Sequence, residues 1–148
     1  MSDPLKDLFK KRFACQSSDP VPVRADGSNR KIYRLSGAGQ TAIGVLNKDA
    51  KENRAFIEFS RHFRKEGIPV PEIYGESPSG TAYLEEDLGD TTLFQFLGTR
   101  RTSSGVPEDV VTAYRDVVRW LPRIQIVAGK TLDDRWCYPR RSFDKQSM

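Results

Sequence analysis

A polar turn between two strand-like runs carries the residues with the clearest chemical potential in this 148-residue chain. It contains Gly27, Ser28 and Asn29, and Arg30 and Lys31 follow directly. Glycine lets a backbone approach a ligand closely, and the N–H groups of such a turn can surround an anion. The same residues also suit an ordinary β-hairpin. The turn alone therefore indicates either a phosphate-binding loop or a simple connection between strands.

Histidine and cysteine are too scarce for several common kinds of active site. His62 is the only histidine, so a Ser-His-Asp or Cys-His hydrolase is not expected. Cys15 and Cys137 lie near opposite ends of the chain, and no second Cys or His stands near either. We therefore predict two free thiols and no cysteine- or histidine-ligated metal site.

The balance of charge favours a small anionic ligand over a nucleic acid or a membrane. The chain has 24 basic and 20 acidic residues, a formal net charge of +4, and the two signs are interspersed. Its sequence has no basic helix face, and no apolar run long enough to span a bilayer. The length is that of one domain. The first residues lack a secretory apolar segment, so we expect a cytoplasmic location.

The elements around the turn form a predicted three-stranded meander. An amphipathic helix over residues 2–14, capped by Ser2 or Asp3, precedes it. The turn joins the first two strands, and a third strand covers residues 41–46. We expect the helix to dock on the elements after it in the chain, because four apolar side chains share one of its faces. They are Leu5, Leu8, Phe9 and Phe13.

The best-defined helix begins at Asp49, with Glu52 in the capping-box position, and Gly67 ends it. A second hairpin covers residues 72–86. The predicted core stripe of the helix consists of Ala55, Phe56, Phe59 and Phe63.

Helices dominate the remaining sequence. Thr91 or Thr92 can cap a short helix, and a loop over residues 98–105 follows it. A longer helix starts near Pro107, and Pro122 should kink or shorten it. From residue 129 onward no period is sustained.

This order of elements resembles the small lobe of the protein-kinase-like fold, and more narrowly the aminoglycoside phosphotransferase family. Within it, the branch that phosphorylates cell-wall amino sugars is most similar. The resemblance implies an α+β fold: an antiparallel sheet of about five strands with one packed helix, followed by helices that begin a large lobe. The matching segments cover residues 27–35, 52–57, 67–74 and 84–90.

The resemblance also implies a division of the chain. We expect an N-terminal helix and linker over residues 1–19 and a nucleotide-binding small lobe over residues 20–86. The hinge and the start of a truncated helical large lobe would then occupy residues 87–148.

In such a lobe the polar turn would lie over the triphosphate of ATP. The loop residues are Gly27, Ser28, Asn29 and Arg30. Protein kinases also hold the α- and β-phosphates with a lysine of the third strand, paired with a glutamate of the following helix. Residues 41–46 contain no lysine. The helix carboxylate would be Glu52 or Glu58, and its partner would be Lys31, Arg34 or Lys48.

The hinge implied by the resemblance comprises Glu86, Asp87 and Leu88, whose backbone groups would bind the adenine edge. A solvated acidic turn at Glu86, Asp87 and Asp90 is the competing interpretation.

The residues that transfer the phosphate are not expected in this chain. Transfer needs an aspartate that accepts the proton, and an asparagine and a second aspartate that hold magnesium. The only asparagines are Asn29, Asn47 and Asn53, all in the predicted small lobe. We therefore interpret the chain as the N-terminal portion of an enzyme that transfers the γ-phosphate of ATP to a sugar or similar alcohol, inactive alone, with magnesium only in the complete enzyme.

A pseudokinase-like protein-interaction module is the alternative hypothesis, and a nucleic-acid binder is a weaker third. The module would contact its partner through one face of the helix after Asp49, although a solvated helix face explains the same residues. They are Arg61, His62, Arg64 and Lys65.

Overall fold

The computed structural model describes residues 3–23, 29–101 and 105–141. The chain divides into two compact units. One joins the residues up to Asp87 with the segment that begins at Asp133, and the other is Leu88–Leu132. Within the described ranges no helix has both the length and the apolar character needed to cross a bilayer.

A five-stranded antiparallel sheet forms the centre of the first unit. Its strands stand in the order β1-β2-β3-β5-β4, so β5 crosses over to pair with β3 and leaves β4 at the edge. The predicted meander, the second hairpin and the α+β class with about five antiparallel strands are confirmed. The strands are β1 (Val21–Val23), β2 (Lys31–Gly37), β3 (Gln40–Leu46), β4 (Ile73–Glu76) and β5 (Ala82–Glu86).

Helix α1 (Pro4–Phe13) covers one face of this sheet. Asp3 caps it by accepting a hydrogen bond from the Leu5 N–H at 2.9 Å. The helix lies close to β3 because Gly44 has no side chain: a Cβ there would stand 2.9 Å from Leu5 and 2.8 Å from Leu35. The docking predicted for this helix is therefore confirmed, and the sheet carries two packed helices instead of one. The core on this face contains Leu5, Phe9, Leu35, Ala42, Ala82 and Leu84.

Helix α2 (Ala50–Lys65) covers the opposite face. The Asp49 carboxylate accepts hydrogen bonds from the N–H groups of Lys51 and Glu52, each at 3.0 Å, as the cap prediction requires. Gly67, with φ +75°, follows the end of the helix. The core on this face is built from Val45, Ile57 and Tyr83, with Ile32, Ile43, Phe56 and Ile73 against it.

The buried stripe of α2 differs from the predicted one. Phe59 and Phe63 are only partly buried, whereas Asn53 is fully buried. An amide is tolerated there because its Nδ2 donates to the carbonyl groups of Asn47 and Gly80, at 3.2 and 2.8 Å. Hydrophobic spacing could not reveal this, because the acceptors lie in loops outside the helix.

The second unit contains α3 (Leu93–Arg100) and α4 (Glu108–Pro122). Thr92 and Gln95 form a complete capping box at the start of α3. This helix runs to Arg100, so the loop predicted from residue 98 begins later. Helix α4 ends at Pro122 as expected, and a π-helical turn over Arg123–Val127 follows it.

The segment after Leu132 has more local structure than its irregular sequence predicts. A short 3-10 turn covers Asp134–Trp136. The Arg54 guanidinium stands 5.3 Å from the centre of the Trp136 ring. The Tyr138 hydroxyl donates to the Asp49 carboxylate at 2.6 Å. Contacts with α2 therefore hold this segment on the first unit.

Candidate functional site

The predicted phosphate loop is only partly described. Gly27 and Ser28 lie outside the described residues, whereas Asn29 and Arg30 directly precede β2. An open cavity of about 610 Å³ lies beside Asn29 and brings two lysine side chains together. Its lining residues are Asn29, Lys31, Leu46, Asn47, Lys48, Asp49 and Thr81.

The clearest ionic contact next to this loop joins Arg30 to α2. The guanidinium donates to the Glu52 carboxylate at 2.7 Å and lies 5.2 Å from the centre of the Phe56 ring. The second oxygen of Glu52 accepts a hydrogen bond from the Asn47 amide at 2.7 Å. Only 20% of the Arg30 side chain is exposed, so solvent weakens this pair less than a surface ion pair.

This pair corrects one expectation. Of the two candidate carboxylates, Glu52 pairs with a basic residue beside the predicted loop, and that residue is Arg30 instead of Lys31, Arg34 or Lys48. The alternative carboxylate, Glu58, is bonded to arginines of its own helix. Both Glu52 carboxylate oxygens accept hydrogen bonds from other side chains, so Glu52 does not form the predicted capping box with Asp49.

The Asp49 N–H instead donates to the Asn47 side-chain oxygen at 3.1 Å. Asn47 thus links the start of α2 to Glu52 and supports the orientation of the carboxylate that faces Arg30.

The sheet face under α2 carries charged residues in one cross-strand row. Arg34 on β2 stands opposite Ile43 on β3, and Ile43 stands opposite Glu85 on β5. On the other side of β5, Glu85 is aligned with Ile73. Paired residues of antiparallel strands project from the same face, so two isoleucines flank the Glu85 carboxyl group.

The Glu85 carboxyl group on this face is largely buried. Burial raises its pKa from 4.5 to about 7, and the positive charge of Arg30 partly opposes the shift. Its Oε2 atom is buried and has no hydrogen-bond partner among the residues that the structure describes. Burial also raises the pKa of the neighbouring Tyr83 hydroxyl.

The predicted hinge is held by an arginine of the sheet. Arg34 donates to both oxygens of Asp87, from Nε at 2.7 Å and from Nη2 at 3.0 Å. The Asp87 side chain is only 7% exposed. A solvated acidic turn therefore does not describe Asp87, whose carboxylate anchors the chain where β5 ends.

Glu86 and Leu88, the other two residues of the predicted hinge, have different surroundings from Asp87 and from each other. The Glu86 N–H donates to the Glu72 carbonyl at 2.8 Å, and the Glu86 carboxylate accepts from the Glu72 N–H at 3.1 Å. This N–H is thus already used within the sheet edge. Leu88 is 66% exposed. Backbone contacts to a base would have to come from the remaining groups of residues 86–88.

Two arginines near the end of α2, offered by the sequence as contacts for a partner protein, are bonded within the chain. Arg61 donates to the carboxylates of Glu58 at 3.1 Å and Glu76 at 3.2 Å. Arg64 donates to the Val70 carbonyl at 3.0 Å. These contacts give the two arginines a structural role, which makes them weaker candidates for binding a partner protein.

Glu85 and the positioning role of Arg34 had no assignment from the sequence. The alternation of β5 contained a usable signal, because Tyr83 and Glu85 are two residues apart and so share a face. The salt bridge between Arg34 and Asp87 had no local signal, since it joins distant parts of the chain.

Comparison with protein-family models and with curated proteins finds no match to this chain.

Proposed function

We propose that this chain is the ATP-binding portion of a small-molecule phosphotransferase that transfers the γ-phosphate to a sugar or similar alcohol. The Arg30–Glu52 ion pair carries the proposal. It places a cation at the last residue of the predicted phosphate loop and ties that cation to the helix packed on the sheet. The sheet order and this helix are compatible with a kinase-like small lobe.

Arginine is suited to this task because its guanidinium has five N–H donors in a planar fork. Such a group can bond a phosphate oxygen while it keeps its contact with Glu52. The third-strand lysine of protein kinases is missing here, and we assign its role to Arg30. Lys31 and Lys48 line the adjoining cavity and add positive charge for a polyphosphate.

The sheet face covered by α2, where Arg30 contacts Phe56, offers surroundings for a purine base. Ile32 and Ile43 supply partly buried apolar surface there. These side chains fit the apolar face of a ring. The bound nucleotide supplies the phosphoryl group, and this chain's residues bind and orient it.

Nucleotide titration tests the proposal. We expect ATP to bind the chain weakly, and Arg30→Met to weaken binding about tenfold or more, because a charge-assisted hydrogen bond contributes about 1.5–3 kcal/mol. Arg30→Lys should retain part of the affinity. Calorimetric or fluorescence titration measures each variant.

Arg61→Met is the matched control, since it removes an arginine bonded to a glutamate of the same helix, Glu58. Its affinity for ATP should equal that of the wild type. Equal affinities for the wild type and Arg30→Met would contradict the proposal, as would the absence of any ATP binding.

A further inference from the structure

We propose that helix α4 is a self-association surface: two copies of this chain pair through their α4 helices, which lie side by side in opposite directions. The proposal concerns the second unit, Leu88–Leu132, and does not depend on nucleotide binding by the first unit.

The helices of the second unit bury very few of their side chains. Helix α3 has no buried residue, and Val110 is the only buried residue of α4. A helix in a folded protein is stabilised mainly by packing an apolar face against another element. The apolar face of α4 therefore needs a further surface to cover it.

This face of α4 is exposed and regularly spaced. The exposed fraction is 41% for Tyr114, 59% for Val118 and 44% for Leu121. Together with Val111 they follow the alternating three- and four-residue spacing of a coiled-coil seam. We call these four residues the α4 seam. Such spacing is typical of a helix that packs along a second helix.

An open groove of about 430 Å³ adjoins the α4 seam. Leu97 of α3 lines it together with the first three residues of the seam. Its lining also includes Arg115, whose guanidinium donates to the Glu108 carboxylate at 3.0 Å. The groove thus offers an apolar helix a place to pack beside α4 and against α3.

The sizes of the seam residues favour a second copy in the opposite direction. Antiparallel pairing centred on the seam brings Val111 beside Leu121 of the second copy, and Tyr114 beside Val118 of the second copy. Each layer then combines one large and one small side chain, and the two-fold axis repeats both layers. Parallel pairing would instead place two tyrosines in one layer and two valines in the next.

The charges at the ends of α4 agree with this direction. Its first turn carries Glu108 and Asp109, whereas Arg119 lies in its last turn and Arg123 directly follows the helix. Antiparallel pairing brings the acidic end of one helix close to the basic end of the other, and parallel pairing would bring like charges together. The charge order that suits the dipole of one helix therefore also makes two antiparallel copies complementary.

Sedimentation equilibrium of the full chain tests the proposal. We expect the wild type to reach twice the mass of one chain at about 100 μM and to dissociate on dilution. Val118→Glu should weaken the dimer about a hundredfold or more, because the pairing would bury two carboxylates without partners.

Thr112→Glu is the matched control, because it adds the same side chain at an exposed position of α4 away from the seam. It should dimerise like the wild type. Circular dichroism of Val118→Glu reports whether its helices are intact. Leu121→Gln is a milder second variant at an exposed residue, and it should weaken the dimer about tenfold or more.

Isotope-filtered NMR on a mixture of labelled and unlabelled chains tests the direction of pairing. We expect nuclear Overhauser contacts between the methyl groups of Val111 in one copy and those of Leu121 in the other. In a parallel pair these residues would be offset by about 15 Å along the helices, which is too far for such contacts.

Three results would overturn the proposal. A wild type that stays monomeric at about 100 μM would leave the α4 face to a different partner or to further helices of a longer protein. Equal dimerisation of the wild type and both seam variants would place the interface elsewhere. A dimer without contacts between Val111 and Leu121 would exclude the antiparallel arrangement.

Discussion

Replacing Glu85 by glutamine should make the protein more stable, and the gain should depend on pH. The folded-state pKa is about 7, whereas the ordinary value is 4.5. The folded protein therefore holds this proton more tightly than the unfolded chain, and stability falls as pH rises from about 4.5 through about 7. Each unit of pKa difference corresponds to about 1.4 kcal/mol. The loss reaches at most about 3 kcal/mol, because part of the side chain still contacts solvent.

Glutamine has nearly the same shape and does not ionise. The free energy of unfolding of Glu85→Gln should therefore match that of the wild type within about 1 kcal/mol near pH 4.5. Above about pH 8 it should exceed the wild-type value by about 2–3 kcal/mol. Urea unfolding followed by circular dichroism at several pH values measures this difference directly.

Arg61→Gln serves as the control, because it changes the net charge through a guanidinium that stays ionised across this range. Its offset from the wild type should be independent of pH. A difference between Glu85→Gln and the wild type that stays constant from about pH 4.5 to 8.5 would refute the burial argument for Glu85.

Two further substitutions test the contacts that shape the site. Arg34→Met should destabilise the first unit by about 3 kcal/mol, because it leaves the largely buried Asp87 carboxylate without its bidentate partner. Adding Asp87→Asn to Arg34→Met should recover part of this loss. Urea unfolding of the two single variants and the double variant, in a double-mutant cycle, measures the recovery. Gly44→Ala should lower the thermal unfolding midpoint by an amount that corresponds to about 1–3 kcal/mol, because the new Cβ would stand 2.9 Å from Leu5. An unchanged midpoint in Gly44→Ala would mean that α1 does not pack closely on β3.

Local rules predicted three of the helix ends. Asp49 caps α2, Thr92 caps α3 and Pro122 ends α4, as their positions indicate. Each of these features depends on groups within a few residues, where the chain itself brings donor and acceptor together. Strand alternation likewise predicted the two hairpins.

The crossover of β5 had no such signal. Its place between β3 and β4 depends on which strand edges pair after the chain has passed through α2. This placement aligns Glu85 with Ile43 and so determines which side chains surround its carboxyl group.

The ion pairs of the candidate site also depend on distant parts of the chain. Arg30 and Glu52 are separated by two strands, and Arg34 and Asp87 by most of the first unit. The sequence offered Lys31, Arg34 and Lys48 as partners of the helix carboxylate, whereas the packing of α2 on the sheet pairs Glu52 with Arg30. Composition and spacing do not give the distance between the Glu52 carboxylate and each of these basic side chains.

The sequence by itself determined that this chain forms an α+β unit with capped helices, two hairpins and a polar, basic turn, because those properties depend on local propensity and period. Tertiary structure alone decided that Arg30 pairs with Glu52, that Asp87 is buried against Arg34 and that one oxygen of Glu85 is buried without a partner among the described residues. These properties depend on burial and distance, which exist only after the strands have paired and the helices have packed on the sheet.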